Sequence, residues 1–361
     1  MIHRPRAAVG VRLLTPILGA LLVGCGPTTG IASPSPMATT SAAAELSASP
    51  AVSATIAPGW DAVIVGEQPL VDFSAIEDVR HLLAGTAFRD EATAHAWVVG
   101  FREAVGDQSP YHVTWDLGAG SVTAIDPVDI DPGIELADPG PIPQSVIRET
   151  DGTYSMYGWG TIAAEELRPV IWRASAQTLA GPWTAAPGVV FLPATGSAWD
   201  SARIDFPTVL SGESGGRVMV YEGASVADPD TGHIGFARSR NGVTWSHGEV
   251  PVLSPGQCGH GDEATVYGPR ALALETGLLV AYLGNDGNTT RGIYLAEAQA
   301  DGSWDCQTPA PVLVTAAFGS NGGFHSFAAF EDGGVPHVLV EVLSADFDTS
   351  GLWLVRLEAP R

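Results

Sequence analysis

The feature that most constrains the fold is an internal repeat of about sixty residues. The stretch WDSARIDFPTVLSGESGGRVMVYE begins at Trp199, and the similar stretch GDEATVYGPRALALETGLLVAYL begins at Gly261. They align with Asp200 on Asp262, an offset of 62 residues. Weaker copies raise the number of units to five, and these copies surround Asp78, Val146 and Phe327. A chain of such units must stack them or close them into a ring.

Each unit has the same internal pattern. An apolar strand leads through a Gly-containing turn, such as GESGG or LETG, into an alternating strand and then into a third strand. Several units add a turn that ends in Trp (Trp183, Trp245, Trp304) and then a fourth apolar piece. Alternation of period two between turns is typical of antiparallel strands. Five such units predict an all-β fold, a five-bladed β-propeller with four-stranded blades.

The two ends of the repeat region predict how the ring closes. The last unit ends after its third strand, at Leu357, whereas an unassigned strand, WDAVIVGEQPLV, precedes the first unit. We predict that this early strand becomes the outer strand of the last blade, because that pairing closes the ring and removes an exposed edge. We also predict that the three Trp residues pack between blades rather than stack on a ligand.

The N-terminal region predicts export and anchoring. Residues 1–24 combine three arginines with a short apolar run, the pattern of a signal peptide. Leu22-Val23-Gly24-Cys25 resembles a bacterial lipobox, which implies lipidation at Cys25; a cleaved signal with an incidental Cys is the alternative. Residues 25–58 are rich in Ala, Ser, Thr and Pro and predict a disordered tether, which leaves 59–361 for the propeller. We expect an extracytoplasmic protein held on the cell envelope by lipid.

Charge and cysteine content narrow the partners. After removal of residues 1–24, 14 arginines face 40 acidic residues, a net charge of −26 that disfavours nucleic acid and anionic lipid headgroups. Cys258 and Cys306 predict a disulfide in an oxidising compartment, with a reactive or metal-binding thiol pair as the alternative. Neutral or cationic ligands remain possible, and we expect a monomer that needs neither cofactor nor metal.

One carboxylate departs from the repeat. At the position of Asp205 the other units carry non-acidic residues, namely Leu83, Ile142, Tyr267 and Gly323. A carboxylate found in a single blade indicates function, whereas Asp200 recurs as Asp78 and Asp262 and indicates a turn. Residues before the first strands of a propeller gather at one mouth of its tunnel. This placement adds Asp138, His260, Asp262 and Glu263 as candidates, and Glu222, within a second strand, is a further one.

The repeats resemble those of the five-bladed propeller glycoside hydrolases. FPTVL, VMVYEG and IGFARSRNGVTW followed by PVL are similar to strands of family 43 arabinanases and xylosidases and of the related invertases and levansucrases. The resemblance implies that Asp138 is the base or nucleophile and Asp205 the tuning carboxylate. Tyr267 occupies the place of the family's acidic Glu before Gly268-Pro269, so Glu263 is the nearest candidate for the acid, with Glu222 second.

These observations predict a hydrolase of glycosidic bonds in a neutral oligo- or polysaccharide. The residues expected to bind substrate are Glu222, Asp262, Tyr267, Arg270 and His325. One alternative is a propeller that binds a glycan or another partner without cleaving it. Another is a cation in the tunnel, held by His260 and His325 together with Asp205.

Overall fold

A computed structural model describes residues 59–102, 108–137, 140–162, 168–212, 215–259, 261–275, 277–287, 291–299, 303–308, 310–319, 323–345 and 349–360. The predicted signal peptide, Cys25 and the tether lie outside these ranges, as do Asp138 and His260. No helix in the ranges described is long and apolar enough to cross a membrane.

The described chain forms five antiparallel sheets, which confirms the predicted propeller. Blade I contains β3 (His81–Asp90), β4 (Thr93–Phe101), β5 (Gln108–Asp116) and β6 (Ser121–Pro127). Blade II contains β7 (Ile142–Arg148), β8 (Tyr154–Ile162), β9 (Arg168–Ala176) and β10 (Thr184–Phe191). Blade III contains β11 (Arg203–Ser211), β12 (Arg217–Ser225), β13 (Asp228–Ser239) and β14 (Trp245–His247).

The last two blades carry additional short strands. Blade IV contains β15 (Thr265–Leu274), β16 (Gly277–Asn285), β17 (Arg291–Ala298) and β18 (Trp304–Cys306), and β19 (Leu313–Val314) pairs with β17. Blade V contains β20 (Gly323–Asp332), β21 (Val335–Leu343) and β22 (Ser350–Glu358). Short 3₁₀ helices span Phe73–Ala75 and Thr315–Phe318.

The ring closes through the strand that precedes the repeats. β1 (Asp61–Ile64) pairs antiparallel with β22, with Asp61 opposite Glu358 and Ile64 opposite Val355. The short strand β2 (Val71–Asp72) pairs with the same strand further along. The predicted closure is therefore confirmed, and it covers the edge that β22 would otherwise expose.

Each turn tryptophan packs on the preceding blade. Trp183 of blade II makes an edge contact with Trp97 of blade I, Trp245 of blade III contacts Tyr157, and Trp304 of blade IV contacts Phe236. All three tryptophans are buried. The predicted packing between blades is confirmed, and truncation of such a side chain costs about 3–5 kcal/mol.

The innermost strands β3, β7, β11, β15 and β20 surround the axis, and each contains a β-bulge. The bulges fall between Ala84 and Thr86, Pro143 and Ser145, Asp205 and Thr208, Tyr267 and Arg270, and Phe324 and Phe327. Each inner strand has one residue more than its partner: blades I and II leave one residue unpaired, and blades III, IV and V place two residues opposite one. Bulges of this kind redirect side chains and backbone groups, here at one level of the ring.

The predicted disulfide is present. Cys258 and Cys306 are bonded with their Cα atoms 5.2 Å apart. The bond joins the loop that enters blade IV to β18, so the loop preceding β15 is covalently fixed to the outer part of its own blade.

Candidate active site

Two carboxylates face each other across blade III. Asp205 on β11 lies directly opposite Glu222 on β12, and both side chains are buried. Residues directly opposite in an antiparallel pair project to the same face of the sheet. The predicted Asp205 therefore has an acidic partner from the neighbouring strand.

A single guanidinium contacts both carboxylates. Arg203 Nη2 donates to Glu222 Oε1 at 2.6 Å, and Arg203 Nε forms an ion pair with Asp205 Oδ2 at 3.3 Å. The Arg203 side chain is 37% exposed, whereas that of Glu222 is 1% exposed. Arg203 therefore separates the buried carboxyl pair from solvent.

Blade IV completes the site. The backbone N–H of Gly268 donates to Glu222 Oε2 at 3.1 Å. Within blade III, Gly232 on β13 approaches so closely that a Cβ there would meet Glu222 Oε1 at 2.9 Å. Glu222 thus lies at the interface of two blades, and a side chain at position 232 would displace it.

The two carboxyl groups differ in their affinity for protons. Burial raises the pKa of Glu222 to about 8, with Arg203 opposing the shift and the charge of Asp205 adding to it. Burial raises the pKa of Asp205 to about 6, and Arg203 again opposes the shift. The groups titrate as a coupled pair, in which burial favours the protonated form of both carboxyls and does so more strongly for Glu222.

The residue after Asp205 carries backbone strain. Phe206 has φ of 51°, an uncommon value for a residue with a bulky side chain. The strained turn places the Phe206 ring 5.5 Å from the Trp159 ring and 5.8 Å from Arg270 Cζ. Phe206, which follows Asp205 in the chain, thus contacts an aromatic ring of blade II.

Arg270 occupies the axis of the ring. Its guanidinium donates to the backbone oxygens of Phe327 (2.8 Å), Pro269 (2.9 Å) and Gly85 (3.2 Å), and to Gln144 Oε1. With Phe206 on its face, it touches all five blades. Burial lowers the pKa of Arg270 to about 9. We therefore interpret Arg270, which was predicted to bind substrate, as a structural residue that connects the inner strands.

Asp262 has the position expected of a repeated structural acid. Tyr282 Oη donates to Asp262 Oδ2 at 3.1 Å, and in blade III Tyr221 Oη donates to Asp200 Oδ2 at 2.6 Å. Both aspartates are buried. The Asp–Tyr hydrogen bond fixes each entry loop to the second strand of its blade. Asp200 and Asp262 therefore have a structural role.

Glu263, Tyr267 and His325 lie at different places around the entry side. Glu263 is exposed in the entry loop, where its Oε2 accepts the backbone N–H of Gly261 at 2.8 Å. Tyr267 is half-buried in the place equivalent to Asp205, opposite Leu283. His325 is exposed in the bulge of blade V, with Nδ1 3.2 Å from Glu341 Oε2. The carboxylate placed against Asp205 is Glu222.

The sequence analysis missed two residues of these clusters, Arg203 and Glu341. Arg203 precedes Asp205 by two positions, and that spacing places both side chains on one face of a strand. Glu341 is a lone acid in the apolar strand PHVLVEVL. Both signals were available in the sequence.

Two further features bear on ligands. Among the described residues, no group of three or more His, Cys, Asp or Glu side chains could hold a metal ion. A groove of about 430 Å³ lies on blade V, lined by residues that include Trp60, Val335, Pro336 and Leu357. This groove belongs to the outer strands and is separate from the carboxyl pair of blade III.

No protein-family model and no curated protein matches the chain. Among solved structures, sucrose-6-phosphate hydrolase from Lactobacillus gasseri is similar, with TM-score 0.58 and 13% identity over 80% of this chain; the chain spans 61% of that structure. A thermostable family-43 glycoside hydrolase has TM-score 0.57 and 15% identity, covering 76% of this chain and 88% of its own. The β-1,2-mannobiose phosphorylase from Listeria innocua has TM-score 0.62 and 14% identity, covering 82% and 96%. These likenesses establish the shared propeller fold.

Proposed function

We propose that this propeller cleaves glycosidic bonds of a neutral oligo- or polysaccharide, with Glu222 as the general acid and Asp205 as the carboxylate that tunes it. The observation that carries the proposal is the pair of facing carboxyls with separated pKa values, about 8 for Glu222 and about 6 for Asp205. Pairs of titratable groups whose environments drive their pKa values apart are typical of acid–base assignments in enzymes.

The chemistry follows from the protonation states. Glu222 retains a proton at neutral pH and transfers it to the glycosidic oxygen as the bond breaks. The negative charge of Asp205 favours the protonated form of Glu222, and Arg203 stabilises the Glu222 carboxylate that remains after proton transfer. Asp138 remains our sequence-based candidate for the base, and it lies outside the described residues. Glu263 remains a second candidate for the acid.

Charge supports a neutral substrate. A net charge of −26 after residues 1–24 repels anionic polymers. The named structural neighbours, two hydrolases and a phosphorylase, act on carbohydrate. Phe206, which follows Asp205 in the chain, and Trp159, which contacts Phe206, add apolar ring surface, and such surface suits a sugar ring.

The anchoring is part of the proposal. Cleavage before Cys25 and lipidation of that residue would hold the propeller on the envelope through the tether of residues 25–58. The disulfide is consistent with an oxidising compartment. Incorporation of labelled fatty acid by the wild type, and its absence from Cys25→Ser, is the expected result; equal labelling would contradict the assignment.

The catalytic proposal is tested on a panel of aryl glycosides. We expect Glu222→Gln to lose 10²- to 10⁴-fold in rate, the usual contribution of a general acid. Asp205→Asn should move the alkaline limb of the pH profile to lower pH, because the charge of Asp205 raises the pKa of Glu222.

A matched control is Glu149→Gln. Glu149 is also largely buried and is paired with Arg173 and Arg217, away from the carboxyl pair. It should keep the wild-type rate. An unchanged rate in Glu222→Gln would remove Glu222 from the mechanism.

One observation favours a second function, glycan binding without cleavage. Glu222 is 1% exposed, and both of its oxygens already accept hydrogen bonds, from Arg203 and from Gly268. Calorimetric titration of wild type and Glu222→Gln with oligosaccharides separates the two functions. Binding without turnover in wild type, with affinity equal in the variant, would favour the binder.

A further inference from the structure

Blade V contains a carboxylate–histidine pair that the proposed function has not used. Glu341 is fully buried on β21, and its Oε2 accepts from Ser326 Oγ at 2.6 Å and lies 3.2 Å from His325 Nδ1. The side chain of His325 is 50% exposed. A buried carboxylate is costly unless it is paired, and the imidazole is the group here that can carry a compensating positive charge.

The remaining contacts hold this pair rigid. Ser326 Oγ accepts the backbone N–H of Ala84 in blade I at 2.7 Å, so the serine is fixed from the neighbouring blade while it donates to Glu341. Among the described residues, Glu341 Oε1 has no hydrogen-bond partner. Ser326 is thus the hydrogen-bond donor shown for Glu341, and His325 is the neighbouring group that can become a cation.

The bulge that contains His325 lies at the same level of the ring as the bulge that follows Asp205 in blade III. His325 opens the bulge of β20, and Phe206, which directly follows Asp205, opens the bulge of β11. One guanidinium links these bulges, since Arg270 Cζ lies 5.8 Å from the Phe206 ring and 5.5 Å from the ring of Phe327. Blade IV lies between blades III and V, so the two clusters approach the axis from different sides.

The tautomer follows from the carboxylate. We assign the imidazole proton to Nδ1, which lies 3.2 Å from Glu341 Oε2, and this assignment makes Nε2 the basic nitrogen. A carboxylate in this position also stabilises the imidazolium that forms when Nε2 takes a proton. His325 thus combines exposure, a basic nitrogen and a buried counter-charge.

We propose, building on the proposed function, that His325, in place of the sequence-based candidate Asp138, is the general base of the hydrolysis and that Glu341 is the residue that positions it. Nε2 takes a proton from water as the water oxygen bonds to the anomeric carbon. The bond to the glycosidic oxygen breaks, and that oxygen receives the proton of Glu222. The products are a hemiacetal and an alcohol, and solvent then removes the proton from His325 and reprotonates Glu222.

The test measures pH–rate profiles of the full chain on the aryl glycoside that wild type cleaves best. We expect His325→Gln to lower kcat by at least about 10²-fold and to abolish the acidic limb of the profile. Imidazole added to His325→Gly should restore part of the rate. Glu341→Gln, which keeps an acceptor for Ser326, should lower kcat by about tenfold and displace the acidic limb.

The control is His337→Gln in the same blade. His337 Nδ1 contacts the backbone oxygen of Val335, and the ring stacks on Phe330, away from the axis. The His337→Gln substitution should leave both limbs of the pH–rate profile unchanged. Thermal unfolding of each variant shows whether it is folded.

The possible outcomes separate the two proposals. If Glu222→Gln loses its rate while His325→Gln keeps the wild-type rate and acidic limb, the base assignment is overturned and the acid stands. If a folded His325→Gln is slow but retains the acidic limb, and imidazole restores nothing in His325→Gly, the base assignment is also overturned. If His325→Gln and imidazole rescue behave as expected while Glu222→Gln is unchanged, the base stands and the acid fails. If wild type cleaves no glycoside, both are overturned.

Discussion

Blades III and IV have the same repeat and differ in chemistry. Each has a buried Asp–Tyr bond at its entry and a two-residue bulge in its inner strand. At the pair before the bulge, blade III places Asp205 opposite Glu222, and blade IV places Tyr267 opposite Leu283. The residues that recur in both blades therefore stabilise the ring. The blade with the candidate site differs at the residue pair before the bulge, which is Asp205 and Glu222 in blade III.

The largest effect is expected when the Asp205–Glu222 pair of blade III is replaced by the corresponding residues of blade IV, Tyr and Leu. We expect Asp205→Tyr with Glu222→Leu to abolish hydrolysis, a loss of at least about 10³-fold, because the acid and its tuning charge are both removed. The fold should survive, since Arg203 is 37% exposed and can be solvated once its partners are gone. Rate assays and thermal unfolding check this. A doubly substituted protein that still cleaves substrate would contradict the assignment.

A second test uses the pH dependence of stability. Both carboxyls have a higher pKa in the folded protein than their ordinary values of 4.5 and 3.8, so the folded state binds more protons. The stability that the pair contributes is therefore present at low pH and is lost as pH rises from about 4 to 8. We expect several kcal/mol of difference, since each unit of pKa change is about 1.4 kcal/mol.

The measurement for this test is urea unfolding from pH 4 to pH 9, with the double variant as the reference. Subtracting the reference removes the effect of the high net charge. A wild-type curve parallel to that of the variant would show that the pair is not buried as described.

A third test concerns the disulfide, a feature that blade III lacks. Blade IV closes 48 residues between Cys258 and Cys306. We expect Cys258→Ser with Cys306→Ser to lower the free energy of unfolding by about 4 kcal/mol, because the unfolded chain regains that loop entropy. Denaturant unfolding measures the loss. Hydrolysis should be unaffected in the protein that remains folded.

The smallest effect compares the two Asp–Tyr bonds. Asp200 also contacts His247 Nδ1 at 2.6 Å, so Tyr221→Phe leaves it a partner and should cost about 1 kcal/mol. Tyr282→Phe removes the side-chain donor shown for Asp262 and should cost about 2 kcal/mol. Equal losses in denaturant unfolding would mean that His247 does not support Asp200.

Much of the architecture could be predicted because it depends on repetition. The sixty-residue repeat, the alternation and the unpaired strand before it predicted five blades, the closure by β1 and the tryptophans between blades. The pairing of Cys258 with Cys306 followed from the number of cysteines. These features are set by local pattern and chain order, which a sequence displays directly.

The site could be predicted only in part because bulges alter the register. Aligning the units without gaps places Leu83, Ile142 and Gly323 with Asp205, but the residues that precede the bulges in those blades are Ala84, Pro143 and Phe324. The predicted acid Glu263 was chosen for its distance along the chain from Gly268-Pro269. The partner of Asp205 is fixed instead by pairing between strands, which brings Glu222 to it from the next strand.

The pairing of β1 with β22 has a consequence for how the chain reaches its native state. Asp61 and Glu358 are separated in sequence by almost the whole propeller. β1 is therefore synthesised early but can pair only after β22 has been synthesised. Late, long-range pairing of this kind slows folding. A nascent chain that ends before Ser350 lacks β22, so β1 has no strand to pair with at that stage of synthesis.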